Sequence, residues 1–193
     1  MNSLNRCLTI IVHCIGLIFF FIPLHSCNAY NITPSSESQL YPRDIWMYYS
    51  QNLNEGLKTV LNITWTTLSK NWTMHYLTDS NLSNYIDKQD FPPYYMKLHP
   101  VHRSDYLRVY LLYRYGGWYL DFSTLVTSNS YFEVLYQKML ASRIQFLAFG
   151  PDVSVLHEFS TNVLYAPEGS LYASLWFEQV HKLWEIGNLN YVY

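Results

Sequence analysis

Cysteine is scarce, and where it is missing matters. The 193-residue chain has three cysteines, Cys7, Cys14 and Cys27, all near its start. From Tyr30 onward no thiol is available, so no disulfide can stabilise that part and a buried core must do so. Half of the residues are apolar or aromatic, enough to fill a domain of ordinary size. Basic clusters are missing too. With twelve Lys and Arg against fourteen Asp and Glu the formal charge is −2, which argues against nucleic acid as a partner. No internal repeat or low-complexity tract is visible. Tyrosine, at 19 copies, is the conspicuous excess. It suits a surface where rings stack on sugar faces and hydroxyls find partners, and equally the amphipathic packing of sheet edges.

The apolar run from Leu8 to Leu24 follows Arg6 and leads to Cys27-Asn28-Ala29, whose small residues suit a signal peptidase. Residues 1–29 therefore read as a signal peptide or a signal anchor, the run lying at the short end of the ~17–25 residues a bilayer crossing needs. No Lys or Arg follows it until Arg43, an asymmetry that places the N-terminus in the cytoplasm and the body in the lumen. Four sequons agree with that side: Asn31-Ile-Thr33, Asn62-Ile-Thr64, Asn71-Trp-Thr73 and Asn81-Leu-Ser83. Residues 30–40 read as a short polar stem, and 41–193 as one domain.

Within that domain, strands and helices alternate. The patterning predicts strands at Asp44–Tyr49, Trp72–Leu77, Trp118–Phe122, Gln145–Phe149 and Thr161–Tyr165. Helices are expected at Asn54–Ser69, Leu82–Ile86, His102–Tyr115, Tyr131–Ser142 and Leu171–Ile186. Such alternation predicts an α/β fold, a mostly parallel central sheet flanked by helices, with a ligand crevice at the carboxyl ends of the strands.

The chemistry concentrates between Ser104 and Thr124. Asp105 and Arg108 are three apart on a helix, so both can face one ligand while Leu107 and Leu111 turn to the core. A carboxylate accepts from sugar hydroxyls, and a guanidinium fork donates to hydroxyl and phosphate oxygens. Gly116-Gly117 ends the helix, and Asp121 interrupts an aromatic strand where an unpaired carboxylate would be costly to bury. Trp46, at the end of the first strand, reads either as core or as a platform for a nucleotide base. His99 and His102 lack a convincing third metal ligand, and His157-Glu158 forms a loop candidate for an acceptor-side group.

These residues resemble the DXD-type glycosyltransferases of family 32, including the capsular polysaccharide synthesis proteins. The pattern S-D-x-x-R, helix, Y-G-G, Y-x-D is met by Ser104, Asp105, Arg108, Tyr115, Gly116, Gly117, Tyr119 and Asp121. Pro42 to Tyr49 and Asn71 to Asp79 are similar to the first two strands of those proteins. The resemblance implies a GT-A-like nucleotide-sugar-binding sandwich that moves a hexose from a nucleotide-sugar to a glycan, glycolipid or glycoprotein. Asp105, Arg108 and Asp121, with Trp46, would bind the donor, and Asp121 with Ser123 would hold Mn²⁺ or Mg²⁺. Ser123 stands where the fullest pattern has a second acid, which puts the metal half of the site in question. The leader and sequons imply a lumenal location in the secretory pathway, at the Golgi or endoplasmic reticulum membrane or secreted if the leader is cleaved, and the resemblance implies a domain that is incomplete at residue 193. A non-catalytic GT-A-like binding protein, or a fragment of the enzyme, stays open as the alternative.

Overall fold

The computed structural model describes residues 13–14, 17–23, 41–50, 53–150 and 160–185. Asn31, the polar stem and His157-Glu158 lie outside the described residues. In chain order the elements are β1 (His13–Cys14), β2 (Leu17–Pro23), β3 (Asp44–Tyr48), α1 (Glu55–Leu68), β4 (Thr73–Leu77), α2 (Pro100–Arg114), β5 (Gly117–Leu120), α3 (Ser130–Ser142), β6 (Ile144–Gly150), β7 (Ser160–Ala166) and α4 (Leu171–Glu185). Three single 3-10 turns join β4 to α2.

The fold is α/β, as the alternation predicts. The sheet runs β1-β2-β6-β7-β5-β3-β4. β3 pairs in parallel with both β4 and β5, while β7 is antiparallel to β5 and β6. Four of the five strands from β3 onward therefore share one direction, with β7 opposed. Both faces of this sheet are covered, and the strand sequences show why. In β3, Ile45 and Met47 enter one buried cluster with residues of α1 and α3, and Trp46 and Tyr48 enter the other with α2 and α4. β5 alternates likewise, Trp118 and Leu120 against Tyr119. A strand buried on both faces has no polar side, which is why these segments read as unbroken apolar runs.

Local chemistry sets the helix ends. Asn54 caps α1, its side chain accepting from the Leu57 amide at 2.9 Å. α2 begins two residues before the sequence expectation, with Pro100 in its first turn and His99 as its cap. Proline has no amide to leave unsatisfied there. The helix expected at Leu82–Ile86 is a single 3-10 turn over Leu82–Asn84.

Among the described residues no helix is long and apolar enough to cross a membrane. Within the apolar run read as signal peptide or anchor, the backbone of Leu17–Pro23 pairs antiparallel with β6, Ile18 opposite Gly150 and Phe21 opposite Leu147. A segment rich in aromatic and β-branched residues suits a strand as well as an apolar helix, and β6 offers an open edge.

One clamp ties the start of β3 to α3. Arg43 donates to both carboxylate oxygens of Glu133 at 2.8 and 2.9 Å, and its guanidinium lies over the rings of Trp72 and Tyr136. Hydrogen bonds from Arg43 and then Gln137 lower the Glu133 carboxyl from 4.5 to about 2. For a depressed carboxyl, the stabilisation is complete above the ordinary 4.5 and is lost as pH falls through about 2. Glu133→Gln is expected to cost about 1 kcal/mol at pH 7, the upper end for a partly exposed pair. It should also flatten the loss of stability between pH 4.5 and about 2, as read by urea titration across that range.

Candidate functional site

The strand order places the site. The chain passes from β3 outward to β4, then returns across β3 to β5 on its other side. The connections thus diverge between β3 and β5, and in such sheets a crevice opens at the carboxyl ends of the two strands. A cleft of about 400 Å³ lies there. Tyr48, Tyr49 and Ser50 come from the end of β3, and Asp121, Phe122 and Ser123 from the end of β5. Ser104, Asp105 and Arg108 come from α2, with His99, Pro100 and Val101 at its start and Leu57 from α1.

Arg108 is the centre of the constellation. Its guanidinium donates to Asp105 Oδ1 at 2.7 Å and to Asp121 Oδ1 at 2.8 Å. It also lies 5.1 Å from the ring centroid of Tyr119, whose hydroxyl meets Ser104 Oγ at 2.9 Å. The side chain is only 7% exposed, and its Nε is buried without a partner. Burial works to lower the Arg108 pKa, but Tyr119, Asp121 and Asp105 outweigh it and hold the group a cation. Burial raises the Asp121 carboxyl above its usual range, with Arg108 opposing and not overcoming that effect. Burial likewise pushes the Tyr119 phenol up to about 12. Two carboxylates around one guanidinium leave a net negative charge at the wall of the cleft.

The two glycines set this geometry. Gly116 and Gly117 have φ of +66° and +91°, and a Cβ on Gly117 would fall 2.5 Å from the Asp44 carbonyl oxygen. Only glycine lets the chain leave α2 and enter β5 this close to β3.

Asp105, Arg108, Asp121 and Ser123, anticipated from the sequence, thus line one cleft. Trp46 does not. It is 3% exposed, stacks on His75 at 4.0 Å, and donates its indole N–H to the Gly116 carbonyl at 2.8 Å. It shares its face of β3 with Tyr48 but lies further from the carboxyl end, against the rings of Tyr85 and Tyr115, and braces the Gly-Gly turn instead of reaching the cleft. His99 caps α2 and His102 lies in its first turns, their rings 6.2 Å apart. Among the described residues no group of three or more His, Cys, Asp or Glu could hold a metal ion. Of the sequons, Asn62 and Asn71 are exposed. Asn81 is engaged in a turn, accepting from the Thr78 amide at 2.7 Å and donating to the Tyr76 carbonyl at 2.9 Å.

Sequence reasoning missed Tyr49, Leu57 and Phe122. Their signal was positional, since Tyr49 directly follows β3 and Phe122 lies two residues past the end of β5, but residue type alone marks them only as core.

The fold and cleft define an α/β protein with a charged ligand crevice at the divergence of its parallel strands. The family described as capsular polysaccharide synthesis protein matches residues 25–188, most of the chain. The chain belongs to that family. No curated protein and no solved structure matches it.

Proposed function

We propose that the protein is a glycosyltransferase that moves a hexose from a nucleotide-sugar to an acceptor hydroxyl. The observation that carries this reading is Arg108, buried in the cleft wall between Asp105 and Asp121. A fixed cation flanked by two carboxylates offers both donors and acceptors, which a sugar diphosphate requires together. The carboxylates would accept from hexose hydroxyls, and the guanidinium would offset charge developing on the diphosphate. In the transfer, the acceptor oxygen bonds to the anomeric carbon, the bond from that carbon to the diphosphate oxygen breaks, and the acceptor proton leaves.

A divalent ion fits this site only with help from the donor. Magnesium is commonly held by one or two carboxylates together with substrate phosphates, and Asp121 with Ser123 supplies that partial set. When bound, Mn²⁺ or Mg²⁺ would neutralise diphosphate charge. The sequons support a lumenal setting in the secretory pathway, Golgi or endoplasmic reticulum. Asn62 and Asn71, being exposed, are the better placed for glycans.

The test is direct. UDP-galactose, UDP-glucose, UDP-N-acetylglucosamine and GDP-mannose are offered with and without Mn²⁺, and binding, hydrolysis and transfer are followed. Turnover of at least one is expected. Asp121→Asn, which keeps the shape and removes the charge, is expected to lower that turnover about 100-fold. Binding without turnover would instead favour a non-catalytic sugar-nucleotide-binding protein, which Ser123 in place of an acid also supports. No binding of any donor would overturn both.

A further inference from the structure

Asp121 and Ser123 open a segment that leaves β5 and reaches α3 without regular structure, so something must hold them against the cleft. Within the segment, the Thr124 amide bonds back to the Asp121 carbonyl at 2.8 Å, and Phe122 and Val126 are buried. At its start the Asp121 amide donates to the Asn162 carbonyl at 2.7 Å and the carboxylate accepts from Arg108; beyond Ser123 the tie comes from α1, across the cleft. Thr64 is fully buried, and its hydroxyl donates to the Thr124 carbonyl at 3.1 Å while accepting from the Val126 amide at 3.0 Å.

This use of a helical threonine is unusual within the same helix. Thr59 makes the ordinary local bond, from its hydroxyl to the Glu55 carbonyl one turn back, at 2.9 Å. Thr64 instead spends both its donor and its acceptor on a loop some 60 residues away. α1 also contributes Leu57 to the cleft, and the loop contributes Asp121, Phe122 and Ser123. The hydroxyl therefore links two walls of one cleft without lining it.

We propose that Thr64 is a positioning residue for the Asp121–Ser123 segment, fixing the carboxylate and hydroxyl at the spacing a nucleotide-sugar requires. This rests on the transferase reading above. The bonds satisfy the buried Val126 amide and the half-buried Thr124 carbonyl. An isosteric valine would leave both unpaired and free the segment to drift. Because productive geometry tolerates little displacement, such drift reaches the donor before it reaches the fold. Thr64 is also the third residue of the Asn62 sequon, so any loss of function on changing it must be separated from loss of a glycan.

The experiment compares Thr64→Val, Thr64→Ser and Asn62→Gln by donor affinity, kcat, KM, thermal melting and hydrogen exchange at the Val126 amide. The probe is whichever nucleotide-sugar the wild type binds most tightly. Thr64→Val is expected to bind it about tenfold more weakly, with a raised KM and faster exchange at Val126. Thr64→Ser, which keeps the hydroxyl and the sequon, should restore both, and Asn62→Gln should change neither. If Thr64→Val does not fold, Thr64→Cys keeps the volume with a weaker donor and is expected to fall between valine and serine. A lower melting temperature with unchanged donor affinity would overturn the positioning role and leave a purely structural one. A wild type that binds no donor would instead overturn the transferase reading itself.

Discussion

Arg108→Ala is expected to lose donor binding entirely and to lower stability by about 3–5 kcal/mol, the range for removing one partner of a buried ion pair. The cost arises less from lost attraction than from what remains. Asp105 and Asp121 would face each other across the space of the guanidinium, and Asp121, already raised by burial, would lose the group that opposes that rise. Its pKa would climb further. For a carboxyl whose folded pKa lies above its unfolded value, the folded state binds more protons in the interval between them. Stability therefore falls as pH rises through that interval. In Arg108→Ala this interval should extend upward, making the variant more stable at pH 5 than at pH 8. Urea titrations at both values check this. Adding Asp121→Asn to Arg108→Ala should recover part of the loss, because one uncompensated charge disappears. Equal stability of the single and double variants would show that Arg108 contributes packing and not charge.

The same triad marks what was legible in the chain. The spacing of Asp105, Arg108, Gly116, Gly117 and Asp121 fixes a helix, a left-handed exit and a strand end, all local events, and each follows from residue type and interval. α1 was equally readable, since Asn54 and Ser69 bracket a run whose apolar positions recur at helical steps, and both flank the observed helix. Trp46 was not resolvable in this way. Whether a strand aromatic reaches ligand depends on how near the strand's carboxyl end it sits and on what covers it, here the rings of Tyr85 and Tyr115 and the Gly116 carbonyl 70 residues away that takes its N–H. Thr64 was hidden for a related reason. A threonine on the buried side of an amphipathic helix looks like a tolerated small residue, and its two loop partners lie far along the chain. Hence the motif located the cleft, while the opposite wall, Tyr49 and Leu57, and the tie between the walls came from packing.

A second large effect on folding is expected at Gly117. With φ at +91°, alanine there would adopt a conformation L residues avoid, and its Cβ would lie 2.5 Å from the Asp44 carbonyl oxygen and 3.2 Å from the Asp44 Cβ. These atoms belong to the adjacent strand, whose Ile45 pairs with Trp118, so they cannot rotate away as a flexible side chain would. Gly117→Ala should cost at least about 3 kcal/mol from strain and overlap together. Gly169→Ala separates the two contributions. Its φ is +72°, yet a Cβ there would meet nothing within 4 Å, so only the backbone term of about 1 kcal/mol is expected. Relief of the clash requires β5 to move away from β3, and Asp121 directly follows β5. Gly117→Ala protein that does fold should therefore bind donor poorly, whereas Gly169→Ala should bind it as the wild type does. Comparable destabilisation of the two variants, measured by urea titration, would mean that the close approach of β3 and β5 is not what the Gly-Gly pair protects.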